Sequence, residues 1–263
     1  LNLKGVRVSL HPAGHILGSA QVRIEYKGEV WVVSGDYKVA PDKTCATFEP
    51  IRCHTFITEA TFGKPSFVWP DQQQVFEEIH DWWRANQKAD RVSILYAYAL
   101  GKAQRIHAGL NPRMGPIYLH PDVEQLTLEY RLAGVEFPRS TSTRFAVPPL
   151  DWSESILIAP PNAHGTAWSR QFGPANVAFV SGWCLIPGMT QRRGFPHGFI
   201  LSDHADWNEL LSAVTATGAE RVFVTHGDEE PLVKELTQRG LIAAPLSQLN
   251  GGLHQPSLFR AGT

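Results

Sequence analysis

Two histidines near the amino end, His11 and His15, stand four positions apart in the string His-Pro-Ala-Gly-His. Imidazoles at this spacing bind zinc when they share one face of a helix, but Pro12 and Gly14 disfavour a helix. We therefore predict a loop, in which the small residues after His15 would let its ring approach a buried ion. A lone histidine is more often structural than ligating, so His15 gains weight only from its company.

Two carboxylates follow at the ends of β-rich runs. Asp36 closes the string Ser-Gly-Asp, and Glu59 stands in Thr-Glu-Ala-Thr-Phe-Gly. Taken singly, Asp36 is explained as a turn aspartate and Glu59 as a surface carboxylate. Neither residue therefore decides the chemistry alone.

Two further histidines lie late in the chain. His204 stands in the string Leu-Ser-Asp-His-Ala-Asp-Trp, and His226 follows a β-rich run and precedes a glycine. Ser202 or Asp203 could simply cap a helix, which would leave His204 in its first turn without a chemical role. A histidine at the end of a strand, by contrast, commonly presents its imidazole to a metal ion.

The elements that must position these residues are predicted from alternation and helical spacing. Early strands are expected at residues 6–10, 21–26, 29–34 and 55–58. Late elements are expected as a strand at 198–201, a helix at 206–217, a strand at 221–225 and a helix at 229–239. Asp36, Glu59 and His226 would then each follow a strand, where open α/β sheets usually carry their chemistry.

The middle of the chain has a different character. It predicts a helix from 69–71 toward 87, a strand at 92–97, a strand at 117–119, a helix at 123–133 and strands at 156–159 and 177–181. Strands that alternate with helices imply a parallel α/β lobe. Trp82 and Trp83 fall at apolar helical positions, so we expect them in a core rather than at a ligand.

Length and composition bound the function. The 263 residues allow one large domain or a core with an inserted lobe. The net charge of −1 requires any grip on nucleic acid to come from a local basic surface. No apolar stretch reaches the roughly 20 residues of a membrane span. Three cysteines without a CxxC pair exclude a zinc ribbon and fit the reduced thiols of a cytoplasmic protein.

The five motifs, in their residues and in their order along the chain, resemble those of the metallo-β-lactamase superfamily, specifically its β-CASP nucleases. The residues that carry the likeness are His15, Asp36, Glu59, His204 and His226. The likeness extends over essentially the whole chain, and the strings at 101–105 and 202–207 look most like the bacterial ligase-associated DNA exonuclease branch.

The resemblance implies an α/β fold. Its expected form is a metallo-β-lactamase αββα sandwich lacking its amino-terminal part, with an inserted β-CASP α/β lobe. The core would comprise residues 1–64 and 194–263, and the lobe residues 65–193.

One departure is the His-x-His-x-Asp-His cluster of the family, which occurs nowhere in the sequence. The first residue is Leu1, already inside strand-like sequence, so we expect the cluster to lie in an upstream segment. The chain alone would then be inactive and would hold metal weakly. The alternative is a pseudoenzyme that has lost its metal ligands.

The resemblance also implies roles. Two divalent ions, zinc or manganese, would be bound by His15, Asp36 and His226. His204 would donate the leaving-group proton, and Glu59 would hold its imidazole protonated.

A separate hypothesis concerns two basic residues in the middle of the chain. Lys102 and Arg105, at the start of a predicted helix, could contact substrate phosphates. A solvated surface pair explains them equally well.

The implied activity is a metal-dependent nuclease, most specifically a DNA exonuclease in repair. Its expected partners are nucleic acid, DNA ahead of RNA, and a DNA ligase, with no membrane contact. An RNA-processing β-CASP ribonuclease is the alternative. Thiolester or lactam hydrolysis on this fold would need neither the Glu59 and His204 pair nor the insertion, and a non-catalytic scaffold would bind no metal even in the complete protein.

Overall fold

A computed structural model of the chain describes residues 1–146 and 152–249, and their strands form two sheets. The first sheet contains β1 (Asn2–Leu3), β2 (Val6–Pro12), β3 (Ala20–Tyr26), β4 (Glu29–Val33), β5 (Thr55–Ala60), β12 (Arg221–Gly227) and β13 (Ile242–Pro245). The second contains β6 (Val92–Tyr96), β7 (Ile117–Leu119), β8 (Thr141–Ser142), β9 (Ile156–Ala159), β10 (Ala175–Val180) and β11 (His197–Phe199). The predicted α/β class is confirmed at this level.

The first sheet has the order β1-β2-β3-β4-β5-β12-β13. Strands β1 to β4 pair antiparallel, whereas β4, β5, β12 and β13 run parallel to one another. The parallel pairing of β5 with β12 brings together an early and a late part of the chain. All strands of the second sheet lie between these two strands in the sequence. Because β2 and β4 both run antiparallel to β3, the carboxyl ends of β2, β4, β5 and β12 meet at one edge.

The second sheet is all parallel, with the order β11-β10-β6-β9-β7-β8. The sequence prediction placed a strand at 198–201 in the late part of the core. It is found at His197–Phe199 and pairs with β10, so the second sheet extends beyond the expected boundary at Arg193. Alternation identifies a strand but not its neighbour, which explains the misplacement.

Seven α-helices connect or cover the described strands. They are α1 (Gln72–Lys88), α2 (Lys102–Gly109), α3 (Pro121–Leu132), α4 (Ala167–Arg170), α5 (Met189–Arg192), α6 (Trp207–Thr217) and α7 (Glu229–Gln238). Helix α1 begins because the Asp71 carboxylate accepts the amides of Gln73 and Gln74. Its face at Val75, Ile79 and Trp83 is buried, as helical spacing predicts.

Helices α6 and α7 pack their apolar faces in the core of the first sheet. Leu210 and Val214 of α6 and Leu232 of α7 share one buried cluster with Val222 and Val224 of β12. Truncating Leu210 to alanine would cost roughly 2–5 kcal/mol of folding free energy. The second sheet has separate clusters, one of which contains the buried Trp83. Among the described helices, none combines the length and hydrophobicity needed to cross a membrane.

Candidate active site

The carboxyl edge of the first sheet gathers the residues that the motifs singled out. Asp36 follows β4, Glu59 is the penultimate residue of β5, and His226 is the penultimate residue of β12. Residue His15 lies in the loop between β2 and β3, which opens at the same edge. Neighbouring strands therefore deliver one side chain each to a common place.

His226 is set apart by its backbone. Its φ is +57°, a left-handed conformation that costs a histidine free energy, and the pairing of β12 with β5 shifts register between Thr225 and Gly227. The irregularity turns the imidazole out of the sheet, where 59% of the side chain is exposed. Its Nδ1 lies 2.6 Å from Oδ1 of Asp36. Gly227 is required beside it, since a Cβ there would lie 2.1 Å from the carbonyl oxygen of Ala60.

His15 is held by two contacts. The Ser19 hydroxyl accepts the His15 amide at 3.1 Å and fixes the loop. The ring Nδ1 lies 2.8 Å from the backbone carbonyl oxygen of Asp203, which can only accept, so Nδ1 carries the proton. This tautomer leaves the Nε2 lone pair available to a ligand.

His204 and Glu59, 145 positions apart, form the expected pair. Nδ1 of His204 lies 2.9 Å from Oε2 and 3.2 Å from Oε1 of Glu59. The carboxylate is only 2% exposed, and its Oε1 also accepts the amide of Tyr37 at 2.7 Å. Glu59 is therefore an internal partner of the imidazole rather than a surface carboxylate.

The surroundings of His204 favour its charged form. Burial lowers the pKa of the imidazole, but the hydrogen bond and charge of Glu59, with the charge of Asp36, outweigh it and raise that pKa above its ordinary value. Nε2 is the ring atom left free to donate a proton or to bind an ion.

Aromatic side chains pack around the His204 segment. The Phe62 ring lies 5.9 Å from the His204 ring, and the Trp69 indole donates to the His204 carbonyl oxygen at 2.9 Å. Trp183 and Phe67 in turn pack against Phe62. These rings limit water on one side of the imidazole and fix its backbone.

Within residues 1–146 and 152–249, two groups of side chains could hold metal ions, and they share Asp36. In one, ligand atoms of His15, Asp36 and His204 lie within 4.8 Å of one another; in the other, those of Asp36, Glu59 and His226 do. Both oxygens of Glu59 already accept hydrogen bonds, so we give it less weight as a ligand than the other four residues. The His15 and His204 rings lie 4.7 Å apart, and the His204 and His226 rings 6.5 Å apart.

The two basic residues assigned to phosphate contact lie in the interior. Lys102 is 4% and Arg105 5% exposed, which contradicts the alternative of a solvated surface pair and leaves little of either side chain open to a substrate phosphate. Lys102 Nζ lies 2.7 Å from Oδ2 of Asp203, and Arg105 donates to the Ser202 carbonyl oxygen and to Gln72. In the first turn of α2, the amides of Lys102 and Ala103 bond to backbone carbonyls. A role other than direct phosphate binding is therefore needed.

The sequence prediction missed three buried charged residues beside this pair. Lys38 and Asp42 form an ion pair of 2.7 Å with almost no exposure, and Asp203 was considered only as a helix cap. The cap of α6 is instead Asp206, whose carboxylate accepts the Glu209 amide at 2.8 Å. A charged residue in a loop gives no signal of burial, although Lys38 and Asp42, four positions apart and opposite in charge, could have suggested a pair.

Comparisons with known proteins place this edge in context. No protein-family model matches the chain. A probable DNA ligase of Opitutus terrae is 33% identical over 261 residues, which cover 97% of the chain and 25% of that protein. A transcription termination factor FttA of Lokiarchaeum is 29% identical over 105 residues, 38% of the chain and 16% of that protein. Endoribonuclease YSH1 of Yarrowia lipolytica is 28% identical over 137 residues, 51% of the chain and 16% of that protein.

β-CASP nucleases of the metallo-β-lactamase superfamily are among these relatives. These similarities agree with the superfamily that the five motifs resemble. The chain spans about a quarter of the ligase relative and less of the two other relatives just named.

Among the solved structures that are similar to the chain, one shares its fold over most of its length. It is a protein of unknown function from Enterococcus faecalis V583, with a TM-score of 0.54 and 11% identity, covering 86% of the chain and 60% of that structure.

Proposed function

We propose that this chain carries the site of a metal-dependent nuclease that hydrolyses phosphodiester bonds. The observation that supports it most is the His204–Glu59 pair, an imidazole hydrogen-bonded to a buried carboxylate beside a cluster of potential metal ligands centred on Asp36. Phosphodiester hydrolysis needs both a proton for the leaving oxygen and neutralisation of the phosphate.

His15, Asp36 and His226 would hold the divalent ions, with Asp36 shared. Imidazole and carboxylate ligands suit zinc and also accept manganese. When bound, such ions supply a water of lowered pKa and neutralise charge on phosphate oxygens. These three residues leave both coordination spheres incomplete, so we expect the chain by itself to bind either metal weakly, which metal analysis after dialysis would measure. Two tightly held, stoichiometric ions in the chain would show that the site is misplaced.

The chain's own residues account for the proton. Glu59 keeps the proton on Nδ1 of His204 and stabilises the imidazolium, so Nε2 can give its proton to the leaving oxygen. The Trp69 indole and the Phe62 ring hold the His204 backbone and ring in place. Tyr37 donates its amide to Glu59, which keeps that carboxylate oriented.

We further propose how the two sheets divide the chain. The first sheet with α6 and α7 would belong to the metallo-β-lactamase core, from residues 1–64 and the late part of the chain. The lobe would run from residue 65 to Phe199 rather than to Arg193, because β11 pairs with β10.

DNA is the proposed substrate, degraded from an end. The support is the ligase relative, in which a segment similar to nearly all of this chain makes up a quarter of a probable DNA ligase. The same similarity supports a functional association with a DNA ligase. RNA cleavage is the second candidate, favoured by the relatives named endoribonuclease. With a net charge of −1, binding should rely on a few local contacts and should weaken with salt.

The test uses the full-length gene product with manganese or zinc. It compares end-labelled linear DNA, closed circular single-stranded DNA and RNA of matched sequence. We expect stepwise release of label from the linear DNA only. Cutting of circles, or much faster cutting of RNA, would overturn the exonuclease proposal and leave the metal-dependent nuclease in place; no cleavage of any substrate would overturn both.

A further inference from the structure

Behind the candidate metal ligands lies a buried group of five charged side chains, which we call the ionic cluster. Its members are Lys38, Asp42, Lys102, Arg105 and Asp203. The side chain of Asp42 is 4% exposed, and each of the other four residues is at most 5% exposed. Lys102 lies 2.7 Å and Arg105 3.4 Å from the Asp203 carboxylate, and Arg105 lies 3.6 Å from Asp42. Three cations against two carboxylates leave the cluster one positive charge in excess.

The ionic cluster joins the two sheets. Lys102 and Arg105 belong to α2, which follows the first strand of the second sheet, whereas Lys38 and Asp42 follow β4 of the first. The two parts also touch sterically, since a Cβ on Gly101, whose φ is +81°, would lie 2.2 Å from Cγ2 of Ile16. Helix α2 is thus seated against the His15 loop by shape and by charge.

The polar contacts of the cluster converge on His15. The Asp203 carbonyl oxygen accepts the His15 ring proton, and Lys38 donates to the His15 carbonyl oxygen at 3.4 Å. The Asp203 side chain is clamped by Lys102 and Arg105, and Arg105 also donates to the preceding carbonyl oxygen, of Ser202. Asp203, whose carbonyl oxygen orients the His15 ring, is therefore held in place by two cations of α2.

The charge states agree with this geometry. Burial raises the pKa of Asp203, but Lys102, Arg105 and Lys38 outweigh it and hold that pKa well below the ordinary value. Asp203 is therefore held as an anion at neutral pH. Removing one cation would leave this carboxylate buried and underpaired, and its peptide would move.

We propose that the ionic cluster is a positioning unit for His15, through which the seating of α2 from the lobe sets the affinity of the first sheet's edge for metal. The inference rests on the metal site proposed above. Partners that orient a metal-binding imidazole typically contribute 10–100-fold in metal affinity. Coupling is reciprocal, so metal bound at His15 also stabilises the seating of α2.

The test measures cobalt(II) affinity and the cobalt absorption spectrum of the full-length gene product and its variants. Lys102→Met should weaken cobalt binding by roughly 10–100-fold and alter the spectrum, although Lys102 touches no ligand atom. Arg221→Met is the matched control, because Arg221 pairs with Glu29 and both residues begin their strands, at the end of the first sheet opposite the ligands. The control should lose some stability while its cobalt affinity stays that of the parent. Equal affinity of both variants would show that the cluster is only structural.

A double variant separates positioning from folding. Lys102→Met with Asp203→Asn removes the pair without leaving an unpaired carboxylate, so stability should recover while cobalt affinity stays low. Full recovery of both properties would overturn the inference. If neither variant folds, hydrogen exchange of the parent decides: cobalt should slow exchange in α2 as well as in residues 13–19, and slowing confined to 13–19 would contradict the coupling.

His15→Ala keeps the two proposals distinguishable. If His15→Ala binds cobalt as the parent does, the proposed metal site itself is wrong. If His15→Ala loses affinity and Lys102→Met does not, the metal site stands and the positioning role fails.

Discussion

The edge of the first sheet and the start of α2 use charged side chains in opposite ways. At the edge, Asp36, His204 and His226 remain partly accessible, and their free ring or carboxylate atoms face a common space. In α2, the side chains of Lys102 and Arg105 are buried and form ion pairs with Asp203. The difference teaches that a basic motif beside a proposed nuclease site need not contact nucleic acid, because its charges can instead hold other residues of the site in place.

The largest effect should come from the edge. His204→Ala should lower turnover of the full-length protein by roughly 10²–10⁴, because the leaving oxygen loses its proton donor. Metal content should stay unchanged if His204 serves only as the acid. A steady-state rate with metal analysis measures both, and loss of metal would make His204 a ligand, as its proximity to His15 and Asp36 also allows.

Gly227→Ala should distort the same edge through the backbone. A Cβ at φ +140° would lie 2.1 Å from the Ala60 carbonyl oxygen, so we expect roughly 2–3 kcal/mol of lost stability and a displaced His226. Gly240→Ala is the control, since Gly240 also has positive φ but no atom within 4 Å of its Cβ, and should cost only about 1 kcal/mol. Denaturant unfolding compares them, and equal losses would show that the contact with Ala60 is soft.

His107 tests the interior of α2. Burial lowers its pKa to about 4, and Nε2–H donates to the Pro138 carbonyl oxygen. The folded pKa lies below the unfolded value of 6.5, so this contribution to stability is complete above pH 6.5 and is lost as pH falls toward 4. His107→Gln keeps a donor and does not titrate, so stability should fall by roughly 1–2 kcal/mol less between pH 7 and 5 than in the parent. An unchanged pH slope would contradict a neutral, buried His107.

The smallest effect is expected beside the edge, at the surface. Lys64 and Asp228 form an ion pair of 2.7 Å with about half of each side chain exposed. Lys64→Ala should therefore change the free energy of unfolding by less than about 1 kcal/mol and should not alter metal content. A larger loss would mean that solvent-facing charges also support the edge, and the contrast with α2 would weaken.

Much of this arrangement could be predicted from the sequence, for a physical reason. Strand ends and glycine-rich loops are local features, so the sequence predicts His15 in a loop and Asp36, Glu59 and His226 at strand ends, and the structure places them there. The approach of His204 to Glu59 was expected from the family resemblance and is confirmed.

The missed features depend on distant partners. Burial of Lys102 and Arg105 follows from Asp203 about a hundred positions away, and no window of sequence contains both sides of that contact. The two-residue strands β1 and β8 are too short to show alternation. Strand β13 lies at the sheet edge and ends in Pro245. A proline in a sequence argues against a strand, although an edge strand tolerates a proline.

The parallel pairing of β5 with β12 also sets an order in time. Residues 55–60 leave the ribosome long before residues 221–227, and the whole second sheet is synthesised between them. Contacts that close so long a loop form late, because the chain must first lose the entropy of closure. The contact of Glu59 with His204 and that of Asp36 with His226 therefore form only after the later residue of each pair has been synthesised. A nascent chain that has not yet reached residues 221–227 therefore has no assembled candidate site.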